Sequence, residues 1–292
     1  MIPMKTTNLI LGFALALTIL SCSKEENSNG NAISTEDAQV SSKIDAMNDD
    51  VSAIVEEEEA NTYSNAINGK TSELIESELT SCATITRVPA FGTVPTVGDT
   101  VTKTIDFGAG CTLNSGNVVS GRIVISFVFQ PGATSHTINY SFDNFFHNGI
   151  EFNGDKTFTR TMTTAPNAHP IVTMTMDLTA TLPNGAVYRR VGNRVREIIE
   201  GFGDAVLANN VYQITGSWVT TGPNGGTQTS TITTPLNVKM SCMAVNKPLL
   251  VSGIITIVRN TNSATLDFGD GTCDNLAVLN VNGNNYNIVI GN

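Results

Sequence analysis

Val172-Thr173-Met174-Thr175-Met176-Asp177-Leu178-Thr179-Ala180-Thr181-Leu182 alternates apolar and polar residues without interruption. A period of two over eleven residues places all apolar side chains on one face of an extended segment, which reads as a half-buried β-strand. The pattern recurs outward from this stretch. Ile138, Tyr140 and Phe142 face away from Thr137, Asn139 and Ser141. Gly121–Gln130 and Leu249–Val258 are apolar at both parities and read as central strands covered on both faces. Turn signals recur every ten to fifteen residues: Pro131-Gly132, Asn148-Gly149, Asn153-Gly154, Pro183-Asn184-Gly185, Pro223-Asn224-Gly225 and Asn282-Gly283. The Arg-rich stretch Tyr188–Glu200 is read as a strand. The expected fold class is mainly β, with twelve to fifteen mostly antiparallel strands. They form either a large antiparallel β-sandwich or a curved multi-strand meander, preceded by an N-terminal amphipathic helix.

The helix is read from a change of period. Val40, Ile44, Met47, Val51, Ile54 and Val55 recur at helical spacing, after Ser34 and Asp37, an acidic variant of the capping box. Four glutamates at 56–59 would oppose the dipole at a helix C-terminus, so the helix is expected to run on through Tyr63, Ala66 and Ile67 to a stop at Asn68-Gly69-Lys70. A second short helix is expected over Thr71–Leu79. The apolar stripe is expected to pack on the following domain, with the Glu run as a solvated face.

Charge divides the chain. Of its 292 residues only 14% are charged, against roughly 25% in ordinary soluble domains. The formal net charge of −10 excludes a basic nucleic-acid-binding face. Between Ser23 and Thr80 fourteen acids meet three bases, a balance of −11, whereas from Ser81 onward twelve acids meet twelve bases.

The leader carries Lys5 followed by an apolar run from Leu9 to Leu20 and then Ser21-Cys22. The run is shorter than the about 20 residues needed to span a bilayer and reads as a signal peptide. The cysteine at the cleavage position resembles the lipobox of bacterial lipoproteins, with Cys22 as the lipidated first residue of the mature chain. Ser23-Lys24-Glu25-Glu26 resembles the surface-export signal of Bacteroidota lipoproteins. The expected location is the outer membrane, lipid-anchored and cell-surface exposed, with its inner leaflet as the alternative. The expected segments are 1–21 signal peptide, 22–33 lipidated flexible tether, 34–80 acidic helical segment and 81–292 antiparallel β domain.

Within the β domain, Thr104-Ile105-Asp106-Phe107-Gly108-Ala109-Gly110-Cys111 resembles Thr265-Leu266-Asp267-Phe268-Gly269-Asp270-Gly271-Thr272-Cys273. These mark two pseudo-repeats, about 81–130 and 240–292. Each repeat has a second cysteine upstream, so a duplicated unit predicts the bridges Cys82–Cys111 and Cys242–Cys273. Without C-x-x-C or paired His, a zinc site is the weaker reading. Phe107 and Phe268 are expected to face the core, with Asp106 and Asp267 bonding turn amides. A calcium site at Asp267, Asp270 and Asp274 is the alternative to a purely structural turn.

Together with the lipobox, the segments Ile105–Thr112, Ser120–Ile123, Asn144–Gly149, Leu266–Asn275 and Val281–Gly283 resemble an uncharacterised group of Bacteroidota, especially flavobacterial, lipoproteins. That resemblance covers about residues 80–292 and implies no activity or cofactor.

Motifs for catalysis are missing: there is no G-x-S-x-G, H-E-x-x-H, P-loop or dinucleotide fingerprint. The remaining candidates are pairs. Asp143 and His147 are close in sequence, and Glu197, Glu200 and Asp204 could supply the two carboxylates of a glycan hydrolase. Tyr188, Arg190, Arg194 and Arg196 share one face of a strand, where guanidinium groups could hold an anionic glycan or carboxylate. The other reading of that face is an exposed strand balanced by nearby acids. Tyr140, Phe142, Phe145, Phe146 and Phe152 read as core. The sequence thus points to a non-enzymatic binding or structural module with no cofactor, a membrane reached through its lipid, and a glycan or protein partner. A surface glycan hydrolase is the alternative.

Overall fold

Alternation along the chain builds the sheet. In the computed structural model, which describes residues 33–67, 82–113, 116–164, 168–203, 206–245 and 247–290, Val172, Met174, Met176, Leu178 and Ala180 are buried while Thr173, Thr175, Asp177 and Thr179 face solvent. The leader, Cys22, the tether up to residue 32 and the short helix expected over 71–79 lie outside the described residues.

The strands are β1 (Thr84–Val88), β2 (Thr100–Asp106), β3 (Cys111–Thr112), β4 (Val118–Val128), β5 (Ser135–His147), β6 (Ile150–Met162) and β7 (Pro170–Thr181). They continue with β8 (Val187–Glu200), β9 (Val211–Thr221), β10 (Thr227–Lys239), β11 (Leu250–Arg259), β12 (Asn262–Asp270), β13 (Leu276–Val281) and β14 (Asn284–Val289). All pair antiparallel with their chain neighbours in one 14-stranded sheet, except that β3 lies off the path and pairs with β4. Of the two expected architectures, the structure is therefore the open meander rather than the sandwich. A single sheet has only one inner face, so β4 and β11 are not covered on both sides: Val128 and Val258 point outward and are exposed.

The outer face uses neutral polar side chains. Asn139, Thr157, Thr175, Asn193, Ser217 and Thr231 stand in register across six consecutive strands. Such a rank needs few charges to stay solvated, because hydroxyls and amides supply the hydrogen bonds, and β-branched Thr suits a pleated surface.

One helix, α1 (Thr35–Ile67), fills the concave side. Its start follows the capping logic of the sequence: the Asp37 N–H donates to Ser34 Oγ at 3.1 Å, and the Ser34 N–H donates back to Asp37 Oδ2 at 3.1 Å. The apolar stripe Val40, Ile44, Met47, Val51, Ile54 and Val55 packs into a core built with β2 to β8, while Ile33 and Ala38 join a second core built with β9 to β14. Burial extends well beyond that stripe. Ser41, Ser42, Asp45, Asn48, Ser52, Glu58, Glu59 and Thr62 are also buried. Among the described side chains of α1, Thr35, Glu36, Gln39, Lys43, Ala60 and Ser64 are exposed. The Glu run is thus not a solvated face: Glu58 and Glu59 are both enclosed.

A sheet curls this far around a helix only if its strands bend, and glycines supply the bends. At Gly121 the β4–β5 register slips by a residue, opposite Asn144, which itself has φ +48°. Gly121 has φ +80°, and a Cβ there would stand 1.8 Å from the Asn144 carbonyl oxygen. Gly154 on β6 repeats the device against the Asp177 carbonyl oxygen, at 2.1 Å. Both are close backbone approaches of the kind that bulges and sheet corners require.

The two bridges form as the duplication predicts, Cys82–Cys111 and Cys242–Cys273. Each ties the open end of a hairpin, β1–β2 and β11–β12 respectively, by joining the residues flanking it. The repeats also share their turn: Asp106 Oδ1 accepts from the Gly108 N–H at 2.8 Å, and Asp267 Oδ1 accepts from the Gly269 N–H at 2.9 Å. Phe107 and Phe268 are buried as expected.

Gly121→Ala is predicted to cost about 2–4 kcal/mol of stability, since neither the backbone angle nor the contact can relax cheaply. Gly185→Ala also lies at positive φ, but its Cβ would meet open space, so its cost should stay near about 1 kcal/mol. Equilibrium denaturant unfolding of the two variants measures the difference.

Candidate functional site

The chain order alternates two kinds of connection. Tight turns at 148–149, 182–186, 222–226, 260–261 and 282–283 collect at one end of the sheet, beside the longer β2–β4 connection, and the other loops collect at the opposite end. α1 begins at the tight-turn end, where Asp37 Oδ2 lies 3.0 Å from Arg259 Nη2 at the end of β11. It finishes at the opposite end. There Tyr63 donates to the Val128 carbonyl at 3.3 Å, accepts from the Gln130 N–H at 3.1 Å and lies 3.1 Å from His136 Nδ1.

Between these ends the acids of α1 meet cations on the inner face of the sheet. Asp45 lies between two guanidinium groups, Arg190 (Nη1 to Oδ1 2.6 Å) and Arg194. Arg190 also donates to Ser41 Oγ at 2.7 Å. Both guanidiniums stack over the ring of Trp218, 4.9 and 4.3 Å from its centroid. Arg196 pairs with Glu56 and lies 4.7 Å over Tyr212. Glu58 accepts from Lys103 Nζ at 2.8 Å, and Asp50 lies 2.8 Å from His147 Nε2. Lys156 Nζ donates to Asn48 Oδ1 at 2.8 Å and sits 5.4 Å from the rings of Tyr140 and Phe158.

Tyr188, Arg190, Arg194 and Arg196 do share one strand face, as the alternation says. That face is the inner one, and the strand is not exposed there: Tyr188 is 6%, Arg190 1% and Arg194 3% accessible. The carboxylates these arginines hold are the chain's own. The signal that could have found this was the excess of acids in the helical segment, which matches buried cations on the sheet.

Burial shifts two members of the cluster. Desolvation, with Arg194 beside it, pulls the Arg190 guanidinium down to about 10 against the opposing pull of Asp45, so it stays charged at neutral pH. Glu59 is pushed up to about 7, first by burial; Arg160 lowers it and Glu56 raises it further. Its Oε1 has no hydrogen-bond partner among the described residues.

The other candidate residues do not converge. Glu197 faces His169, Oε1 to Nε2 2.6 Å, and Glu200 is exposed on β8. His147 is buried against Asp50 at the opposite end of the sheet; the register places Glu197 about ten residues, roughly 30 Å, farther along. Asp143 bonds Arg122 at 3.0 Å rather than His147. Asp204 lies outside the described residues. Asp267, Asp270 and Asp274 each cap their own turn through the Gly269, Thr272 and Leu276 amides. Among the described residues no three His, Cys, Asp or Glu side chains group as a metal site. Tyr140, Phe145 and Phe152 are core and Phe142 is partly buried, whereas Phe146 stands exposed. No family model, curated protein or solved structure matches the chain.

Within the helix–sheet cluster the arrangement pairs buried charges; apart from it, Thr163 Oγ1 lies 3.4 Å from His169 Nδ1, whose Nε2 faces Glu197. The buried pairs of the cluster are mutually dependent. Removing Asp45 strands two cations in the interior, and Asp45→Ala should cost about 3–5 kcal/mol. Replacing all three charges together, as Asp45→Leu with Arg190→Met and Arg194→Met, should restore most of that loss in the same unfolding assay.

Glu59 gives a pH signature. Its folded pKa is above that of the unfolded chain, so burial is unpenalised below about pH 4.5 and costs stability as pH rises to about 7. Glu59→Gln should therefore raise the melting temperature at pH 8 and leave it almost unchanged near pH 4. Thermal scans at the two pH values test this.

Proposed function

We propose that this chain is a lipid-anchored lipoprotein of a Bacteroidota outer membrane, exposed at the cell surface, whose β-domain acts as a binding or structural module rather than as a catalyst. The observation that carries the reading is the leader Leu9–Leu20 ending in Ser21-Cys22, followed by a polar stretch rich in Asn, Ser and Gly. Multiple acyl chains on Cys22 would hold the chain durably, where a single one anchors only marginally.

The fold supports the reading at the other end of the tether. Ile33 is buried in the sheet core, and the capped helix directly after it is held along its length by polar contacts. Among the described residues His147 lies at the opposite end of the sheet from Glu197 and Glu200, and Glu197 is engaged by His169, which supports the binding or structural class over a glycan hydrolase.

Cys22→Ser is expected to move the chain from the membrane to the soluble fraction, and protease added to intact cells is expected to digest the wild-type chain. A Cys22→Ser chain that stays with membranes would sink the anchored reading. Protection from protease until the outer membrane is opened would place the chain on the inner leaflet instead.

A further inference from the structure

The sheet ends in strands β1 and β14, and the two edges differ. β1 carries Arg87 within its five residues and is followed by Pro89, two features that discourage pairing with another chain. β14 reads Asn284-Asn285-Tyr286-Asn287-Ile288-Val289, with no charge and no proline. Among the described residues it pairs only with β13. Asn284, Asn285, Tyr286 and Asn287 are exposed, and Val289 and its cross-strand neighbour Leu276 are 53% and 51% accessible.

Backbone phase says which groups are free. The Ile290 N–H donates to the Asn275 carbonyl at 2.9 Å, so alternation turns Ile288, Tyr286 and Asn284 toward β13 as well. Asn285, Asn287 and Val289 then aim their N–H and C=O groups at the open edge. We propose that this edge pairs antiparallel with β14 of a second copy, about a twofold axis at Asn287.

Two constraints select that register. Inner and outer faces stay continuous only when residues of the same parity oppose each other. An axis at Asn287 places all three free residues in hydrogen-bonded pairs, Asn287 with the partner's Asn287 and Asn285 with the partner's Val289. The axis one residue away, at Tyr286, uses only Asn285 and Asn287. With the axis at Asn287, Tyr286 stands opposite the partner's Ile288 on the inner side, which covers apolar surface that the single chain leaves open. The interface is self-complementary, as a twofold pair requires. The α1 N-termini lie at opposite ends of the joined sheet, so where both copies are anchored through Cys22, which rests on the reading above, the strands lie along the membrane.

Asn287→Cys in the full chain tests the register directly, because Cα atoms of a hydrogen-bonded antiparallel pair stand about 5.5 Å apart, within disulfide range. Mild oxidation should yield a homodimer on a non-reducing gel, and Asn224→Cys, in the exposed turn after β9, should not. Sedimentation of the purified full chain should show a dimer for the wild type. Asn287→Pro removes an N–H that β13 does not use, so it should give a monomer whose melting temperature matches that of the wild type diluted until it dissociates. Asn287→Lys, which sets two like charges opposite each other, should do the same without altering the backbone. A wild-type monomer at every concentration would overturn the proposal. So would a dimer that survives both substitutions, or an Asn287→Cys chain that cross-links to another protein instead of its own copy.

Discussion

Everything in this structure depends on a helix whose polar side has nowhere to go but inward. α1 buries Asp45, Asn48 and Glu58 and largely encloses Asp50, groups that cost several kcal/mol each to take out of water unless partners wait for them. The sheet supplies those partners on β2, β5, β6 and β8 as Lys103, His147, Lys156, Arg190 and Arg194. Helix and sheet are therefore complementary in charge as well as in shape, and neither interior surface is tolerable without the other.

That dependence explains why the curvature is built into the backbone rather than left to packing. A flatter sheet would bring only one or two strands within reach of α1, whereas its acids are met by residues from β2 through β11. Gly121 and Gly154 make the bends possible by letting a neighbouring carbonyl approach where a side chain would stand. The disulfides act on different parts of the sheet, closing one hairpin near each edge, β1–β2 and β11–β12. Each closes a loop of about thirty residues, worth roughly 3–4 kcal/mol in the chain-entropy picture. α1 joins the regions between them, because its first turn belongs to the core of β9–β14 and the rest to that of β2–β8.

Local features are legible in the sequence because their causes are local. Period-two alternation over Val172–Leu182 sets β7 and its faces, Ser34 with Asp37 marks the start of α1, and the repeated Asp-Phe-Gly turn predicts both bridges. What the sequence does not display is which face of each element lies inside. Alternation assigns Arg190 and Arg194 to the same side as Met174 and Leu178 across β7, but charge argues the opposite, and only the position of Asp45, 145 residues away from Arg190, decides it. The Glu run reads as solvated for the same reason: a helix wrapped on nearly all sides has no broad solvated face, whatever its composition. A choice between sandwich and meander is likewise a question of how far a sheet bends, and that is set by close backbone approaches at a few glycines rather than by strand pattern.

The charge asymmetry between the two parts of the chain takes on a different meaning once the interior is known. Treated separately, the acidic segment looks like a solvated arm and the β region like a neutral domain. Paired as they are, Asp37, Asp45, Glu56 and Glu58 each meet a cation of the sheet, so five of the twelve bases of the β region, Lys103, Arg190, Arg194, Arg196 and Arg259, are engaged by the helix. Hydrophobic burial alone would tolerate α1 sliding or rotating by a residue. A carboxylate held between Arg190 and Arg194 does not, because any shift leaves one of the three charges unmatched in a medium of low dielectric. The buried pairs thus fix the register of the helix inside the sheet, and the apolar contacts supply the stability that holds it there.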